Sequence, residues 1–166
     1  MKHKACLLIL ALSILLALPL AAQGRGGASL GLVVGGTFPG TATTHIPSSG
    51  ELALDWGFFV NLPLLQTFHI APSAELYKFS TSNATDFDLA FKFIVPLNRY
   101  SIFVGISPGL TTVNSLTAPH VGLLAGASFG LVSNLDAFAQ GKYTMVFDGN
   151  QNMTVFHLNL GVLFNF

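Results

Sequence analysis

From Val155 to Phe166 the chain reads V-F-H-L-N-L-G-V-L-F-N-F, and Phe156, Leu158, Leu160, Val162, Phe164 and Phe166 fill every second position. Val155, His157, Asn159, Gly161, Leu163 and Asn165 lie between them, a mostly small or polar set. Strand side chains point alternately to opposite faces, so this pattern predicts a strand with one apolar face and one mixed face. The same alternation predicts seven strands upstream: Ser29–Phe38, Glu51–Leu62, Thr67–Ser80, Asp86–Val95, Tyr100–Leu110, His120–Val132 and Leu135–Val146. Glu51–Leu62 is the clearest of them, with Leu52, Leu54, Trp56, Phe58, Val60 and Leu62 on one side. In Leu135–Val146 the apolar face is weak, carrying Ala137, Ala139 and Gly141. Pro72 and Pro108 fall inside predicted strands and imply bulges or edges, because proline donates nothing to a ladder.

Polar, turn-rich segments separate these strands. Pro63–Gln66, Pro96–Arg99 and Ser133–Asn134 read as turns; Pro39–Gly50, Thr81–Thr85, Thr112–Pro119 and Phe147–Met153 read as loops. The two sets alternate along the chain, so an up-and-down arrangement places short turns at one end and longer loops at the other. Eight strands of this kind predict an all-β, antiparallel, up-and-down barrel over residues 28–166.

Charge tells which side of that barrel faces outward. The apolar face carries no charge until Lys78, at a strand end, whereas Asp55, Glu75, Asp86, Asp88, Lys92, Asp136, Lys142 and His157 share the opposite face. A soluble ligand barrel keeps its apolar face inside and its charges outside. A transmembrane barrel reverses this, because a cation facing mid-bilayer lipid costs about 2–4 kcal/mol. The predicted fold is therefore a transmembrane β-barrel with lipid as its outer partner. Inside it, Asp55, Glu75, Asp88, Lys92, Asp136, Lys142 and His157 are expected to form a mutually paired polar network.

The N-terminus and composition agree with export. Lys2 and Lys4 precede an apolar run from Ala5 to Leu18, followed by Pro19-Leu20-Ala21-Ala22, the layout of a signal peptide over residues 1–22. Cys6 is the only cysteine, so the mature chain has no disulfide and no cysteine-based metal site. The mature chain of about 140 residues fits one domain. Only 8% of the chain is charged, against ~25% in ordinary soluble domains. With formal charge zero and no basic cluster, nucleic acid is not an expected partner.

Taken together, the Ala28–Phe38 start, the Gly-rich Val121–Gly130 strand and the G-V-L-F-N-F end (Gly161–Phe166) resemble small eight-stranded outer-membrane barrels. The likeness is to OmpA/OmpX-like transmembrane domains and to the PorT-like outer membrane protein β-barrel group. It implies residence in the outer membrane of a Gram-negative bacterium, with both termini periplasmic. It also implies that Leu160, Val162, Phe164 and Phe166 form a C-terminal signal read by the barrel-assembly machinery. Unlike full-length OmpA, the chain shows no peptidoglycan-binding domain after the barrel, so tethering of the cell wall is not expected.

The resemblance is nearly silent about activity. Some barrels of this size remodel lipid A with a Ser/His/acid set, and the deacylase group resembling this chain places its His and Ser two apart on one strand. No H-x-S occurs here: His45, His69, His120 and His157 each lack a serine two positions on. Neither catalytic residues, metal ligands nor a cofactor are expected. The expected function is a structural, envelope or surface-interaction role, with loop 39–50 as candidate binder of an extracellular partner. A narrow conduit through the lumen is the alternative, and a lipid-modifying barrel enzyme a remote one.

Overall fold

The computed structural model of the chain describes residues 27–40, 51–79, 82–114, 116–149 and 151–166. The expected signal peptide (1–22), Cys6, His45 and most of loop 39–50 lie outside the described residues. Eight strands follow in order: β1 (Ser29–Pro39), β2 (Ala53–Pro63), β3 (Phe68–Lys78), β4 (Asn83–Leu97), β5 (Tyr100–Val113), β6 (Leu116–Val132), β7 (Leu135–Asp148) and β8 (Gln151–Asn165). Each pairs antiparallel with the next, and β8 pairs with β1 from Ser29↔Asn165 to Pro39↔Val155. The result is a closed up-and-down barrel with no free sheet edge, as the alternation predicts.

Side chains segregate by parity along every strand. Leu54, Trp56, Val104, Leu123 and Leu160 lie outward and exposed, Leu54 at 76%. Ala53, Asp55, Phe59 and Asn61, on alternate positions of β2, are all buried. Lys78 is the outward-facing charge on these strands, exposed at the last position of β3.

The buried face stacks in three layers along the barrel axis. Nearest the termini is an aromatic belt of Phe59, Phe103 and Phe138 with Val33, Leu124 and Leu163. Phe59 and Phe138 meet edge to face at 5.4 Å. A polar layer occupies the middle. Beyond it, Tyr77, Phe79, Val113, Val146, Met153 and Val155 form an apolar cap at the loop end. Gly31 makes the belt fit: a Cβ there would run into the Phe59 ring.

Several sequence expectations are corrected. Thr112–Pro119 is not a loop, because β5 and β6 continue through Thr112↔Thr117 and Val113↔Leu116. The threonines look like loop residues but are β-branched and suit a strand; Asn114 makes the turn at φ 45°. Phe147–Met153 likewise shrinks to a tight turn, since Asp148 pairs with Gln151 and Gly149 supplies φ 57°. The D-G pair is the hairpin signal that explains it. Thr81–Thr85 yields to β4 from Asn83 onward, with the chain turned by a Phe79 N–H to Ser82 C=O bond of 2.8 Å. The turn expected at Pro63–Gln66 falls one residue later, after β2 has taken in Pro63, and Pro96 lies within β4.

The anticipated contrast between short turns and longer loops survives only at residues 40–52. Pro72 and Pro108 also behave unexpectedly. Neither shifts a register: β2–β3 pairing lapses after Phe59↔Ser73 and resumes in step at Leu62↔Ile70. β4–β5 does the same between Asp88↔Gly109 and Phe91↔Ile106. A missing N–H weakens the ladder locally without inserting a residue. The register shift between β6 and β7 lies at Gly130/Val132, where no proline stands.

Candidate functional site

The barrel's chemistry is concentrated in the middle layer, and every strand contributes to it. Alternation aims Thr37 (β1), Asp55 (β2), Glu75 and Tyr77 (β3), Asp86 and Asp88 (β4), Thr111 (β5), His120 (β6), Lys142 (β7) and His157 (β8) into the lumen, where all are buried. Antiparallel closure then brings residues more than a hundred positions apart to one level. Thr37 and His157, for example, face each other across the β1–β8 seam.

Lys142 is the centre. Its ammonium lies 2.7 Å from Glu75 Oε2, 3.1 Å from Asp88 Oδ2 and 3.6 Å from Asp86 Oδ2. Four carboxylates in a low-dielectric interior would be very costly unless compensated. Two histidines flank the lysine in matching surroundings. Thr111 donates its hydroxyl proton to Asp86 Oδ1 at 2.7 Å and lies 2.7 Å from His120 Nδ1. His120 Nε2 is 2.7 Å from Asp88 Oδ1. On the other side Thr37 donates to Asp55 Oδ2 at 2.6 Å and lies 2.9 Å from His157 Nδ1. His157 Nε2 faces Asp86 Oδ2 at 3.7 Å. Tyr77 donates to Asp86 Oδ1 at 3.0 Å and packs edge-on to the His157 ring at 5.4 Å. With its amide nitrogen turned toward Asp55, Asn159 donates to Oδ1 at 3.0 Å and completes the ring.

These threonine–histidine–carboxylate sets have the polarity opposite to nucleophile activation. Each threonine has one proton and gives it to a carboxylate, so the histidine nitrogen beside it must be the donor. A general base would instead take the hydroxyl proton. Metal-ligand types do converge: one donor atom each from Glu75, Asp86 and His157, and one each from Asp86, Asp88 and His120, lie within 4.8 Å of one another. The Lys142 ammonium already stands against the Glu75 and Asp86 oxygens of the first group. Each ring nitrogen of His157 also faces a different carboxylate, an arrangement suited to ion pairing.

Of the residues expected in the network, the fold brings together Asp55, Glu75, Asp88, Lys142 and His157. Lys92 and Asp136 fall elsewhere. The Lys92 ammonium lies below the polar layer, 3.8 Å above the centroid of the Phe59 ring and 5.4 Å from that of Phe103. Asp136, half-buried, lines the cavity at the terminal end of the barrel. Both share the inner face with the network: Lys92 lines a small cavity with Glu75, Asp88 and Lys142 without an ion pair to either acid, and Asp136 sits at the terminal end. Asp86, read from the sequence only as a charge on the inner face, joins the cluster, and His120, Tyr77, Thr37, Thr111 and Asn159 complete it although their spacing carried no signal. Parity alone could place them inside; only the closed register sets them at one height. Leu160, Phe164 and Phe166 are exposed on the outer surface along β8, with Val162 half-buried between them. The Phe166 N–H donates to Ala28 C=O at 3.0 Å, so the end of the chain is tied to its seam.

No protein-family model and no curated protein sequence matches the chain. Solved structures do match in shape. Neisserial surface protein A (NspA) superposes with a TM-score of 0.72 at 13% identity, over 87% of this chain and 100% of that one. The N-terminal β-barrel domain of Pseudomonas aeruginosa OprF gives 0.61 at 15% identity, over 87% and 100%. Ail, the attachment invasion locus protein of Yersinia pestis, in complex with the heparin analogue sucrose octasulfate, gives 0.59 at 10% identity, over 84% and 97%. The chain therefore has the fold of the small eight-stranded outer-membrane β-barrels.

Proposed function

We propose that the chain is an integral outer-membrane barrel with a structural, envelope or surface-interaction role, and that it neither conducts solutes nor catalyses a reaction. The observation that carries this reading is the segregation of charge. The network acids and both strand lysines of the interior are buried, while the outward faces of the strands carry no charge but Lys78 at a strand end and are apolar along their middles. Hydrocarbon tolerates that outer surface, and water would not favour so much exposed apolar area on one protein.

The filled lumen opposes conduction. An eight-stranded barrel is just wide enough to be filled by side chains. Here the apolar cap around Phe79 and Met153 closes the loop end above a densely ion-paired layer. Against catalysis stands the polarity of the threonine–histidine contacts, which leaves neither hydroxyl available as a nucleophile. Among the connections at the loop end, residues 40–52 form the long one, so the 39–50 segment is the candidate site for an extracellular partner. Ail, of the same fold, was crystallised with a heparin analogue, which supports surface capture as a role open to this architecture. The C-terminal Leu160, Val162, Phe164 and Phe166 are the proposed docking signal for the assembly machinery.

Cell fractionation joined to planar-bilayer recording tests the reading. The protein should partition with outer membranes, migrate faster in gels before heating than after, and give no current steps across a wide voltage range. Recovery in the soluble periplasm would overturn the location, and resolved single-channel steps would favour the conduit. Deleting residues 41–50 should abolish binding to cells or matrix while heat-modifiable migration persists; undiminished binding would exclude this loop.

A further inference from the structure

At the end of the barrel that carries the termini, the lumen opens into a vestibule that the proposed function does not use. Its cavity measures about 70 Å³, room for a few water molecules. The Lys92 ammonium forms part of its floor, with Phe59, Phe103 and Phe138 as walls and His69, Arg99 and Asp136 also lining it. The vestibule is a dead end, since the ion-paired layer and then the apolar cap lie above it.

We propose that this vestibule is a binding site for a small oxyanion, a carboxylate or a phosphate, with Lys92 as its counter-charge. The first ground is the contrast between the two interior lysines. Lys142 is held by three carboxylates, whereas Lys92, only 3% exposed, makes no ion pair among the described residues. Its contact is with the Phe59 ring, which stabilises a cation but does not neutralise it. Glu75 and Asp88 line the cavity above it but already hold Lys142 and make no ion pair with Lys92; a buried charge with no counterion in contact is costly, and the open cavity below is where one can arrive.

The second ground is independent of Lys92. His69 is buried, lines the same cavity, and its Nδ1 has no hydrogen-bond partner. Protonated, it would supply a second donor to the same anion. Arg99 at the rim adds a positive charge and Asp136 a negative one, so Lys92, Arg99 and Asp136 together leave one net positive charge with His69 neutral. Asn61 Oδ1, also buried and without a partner, is an acceptor that suits the hydroxyl of a protonated phosphate. The cavity's size selects an anion of a few heavy atoms.

The test uses the protein refolded in detergent micelles, so it succeeds or fails whatever the location of the barrel in the cell. Denaturant midpoints are followed as inorganic phosphate, or separately acetate, is added at constant ionic strength made up with sodium chloride. A ligand that binds only the folded state raises the midpoint as its concentration passes Kd. Wild type and Lys78→Met should show a midpoint that is flat below Kd and rises with the logarithm of anion concentration above it, the stronger arm identifying phosphate or carboxylate as the preferred group. In Lys92→Met the apparent Kd should weaken at least tenfold. Should Lys92→Met fail to refold, His69→Gln with Arg99→Gln, which leaves Lys92 in place, should weaken binding several-fold instead. No rise with either anion beyond the sodium chloride control, or an equal rise when Lys92 or the His69 and Arg99 pair is replaced, would overturn the proposal.

Discussion

The position of Lys142 relative to three carboxylates decides how the interior tolerates its acids. Removing one partner of a buried, hydrogen-bonded ion pair strands the remaining charge and costs about 3–5 kcal/mol. Lys142→Met should therefore lower stability by about that amount, read from the denaturant midpoint followed by the fluorescence of Trp56, the only tryptophan. Adding Glu75→Gln should return part of the loss, because the two side chains touch at 2.7 Å and their effects are not additive. Lys78→Met, at an exposed strand end, should fall within about 0.5 kcal/mol of wild type. Equal losses at Lys142 and Lys78 would show that the interior pairs do not matter to folding. Lys142 and its acids were legible in the sequence as an inward-facing set, because parity is a local property. That Lys92 rests on Phe59 instead of joining them was not legible, since the height of a side chain along the barrel depends on the stagger between strands.

At the level of the element, alternation located all eight strands, and the errors gathered where composition and conformation part company. Thr112 and Thr117 are polar, which suggested a loop, yet they are β-branched and extend β5 and β6 beyond the apolar stretch. The tight turn at Gly149 was hidden for a related reason: F-D-G-N-Q-N-M is polar between its two ends, and only the D-G pair marks where the chain reverses. Asn98 and Asn114 make comparable reversals at φ 58° and 45°, conformations that asparagine accepts more readily than most residues. The prolines misled in the opposite sense. Each removes a donor, but the neighbouring pairs on both sides hold the register, so Pro72 and Pro108 leave gaps where bulges were expected. Local chemistry thus reported the strands well and their ends poorly, because an end is set by the partner strand as much as by its own residues.

For the whole molecule, closure converts a period of two into two separate solvents, an interior of paired charges and an exterior of exposed apolar side chains. The cost of misplacing a charge should then depend on depth along the barrel as well as on face. Val104 is outward, 57% exposed, and sits four residues further along β5 from the terminal end than Tyr100, with Phe93 and Ala125 as its ladder neighbours. Val104→Arg should destabilise the barrel in phospholipid bilayers by about 2–4 kcal/mol, the cost of a cation at the bilayer midplane. Tyr100→Arg, on the same face of β5 but at its terminal end, should cost about 0–1 kcal/mol, the value near an interface. A gradient from Tyr100 to Val104 is the signature of hydrocarbon surrounding the cylinder, because water would penalise neither substitution. Equilibrium unfolding of both variants in liposomes measures it, and two losses of equal size would mean that the apolar surface faces something other than a bilayer.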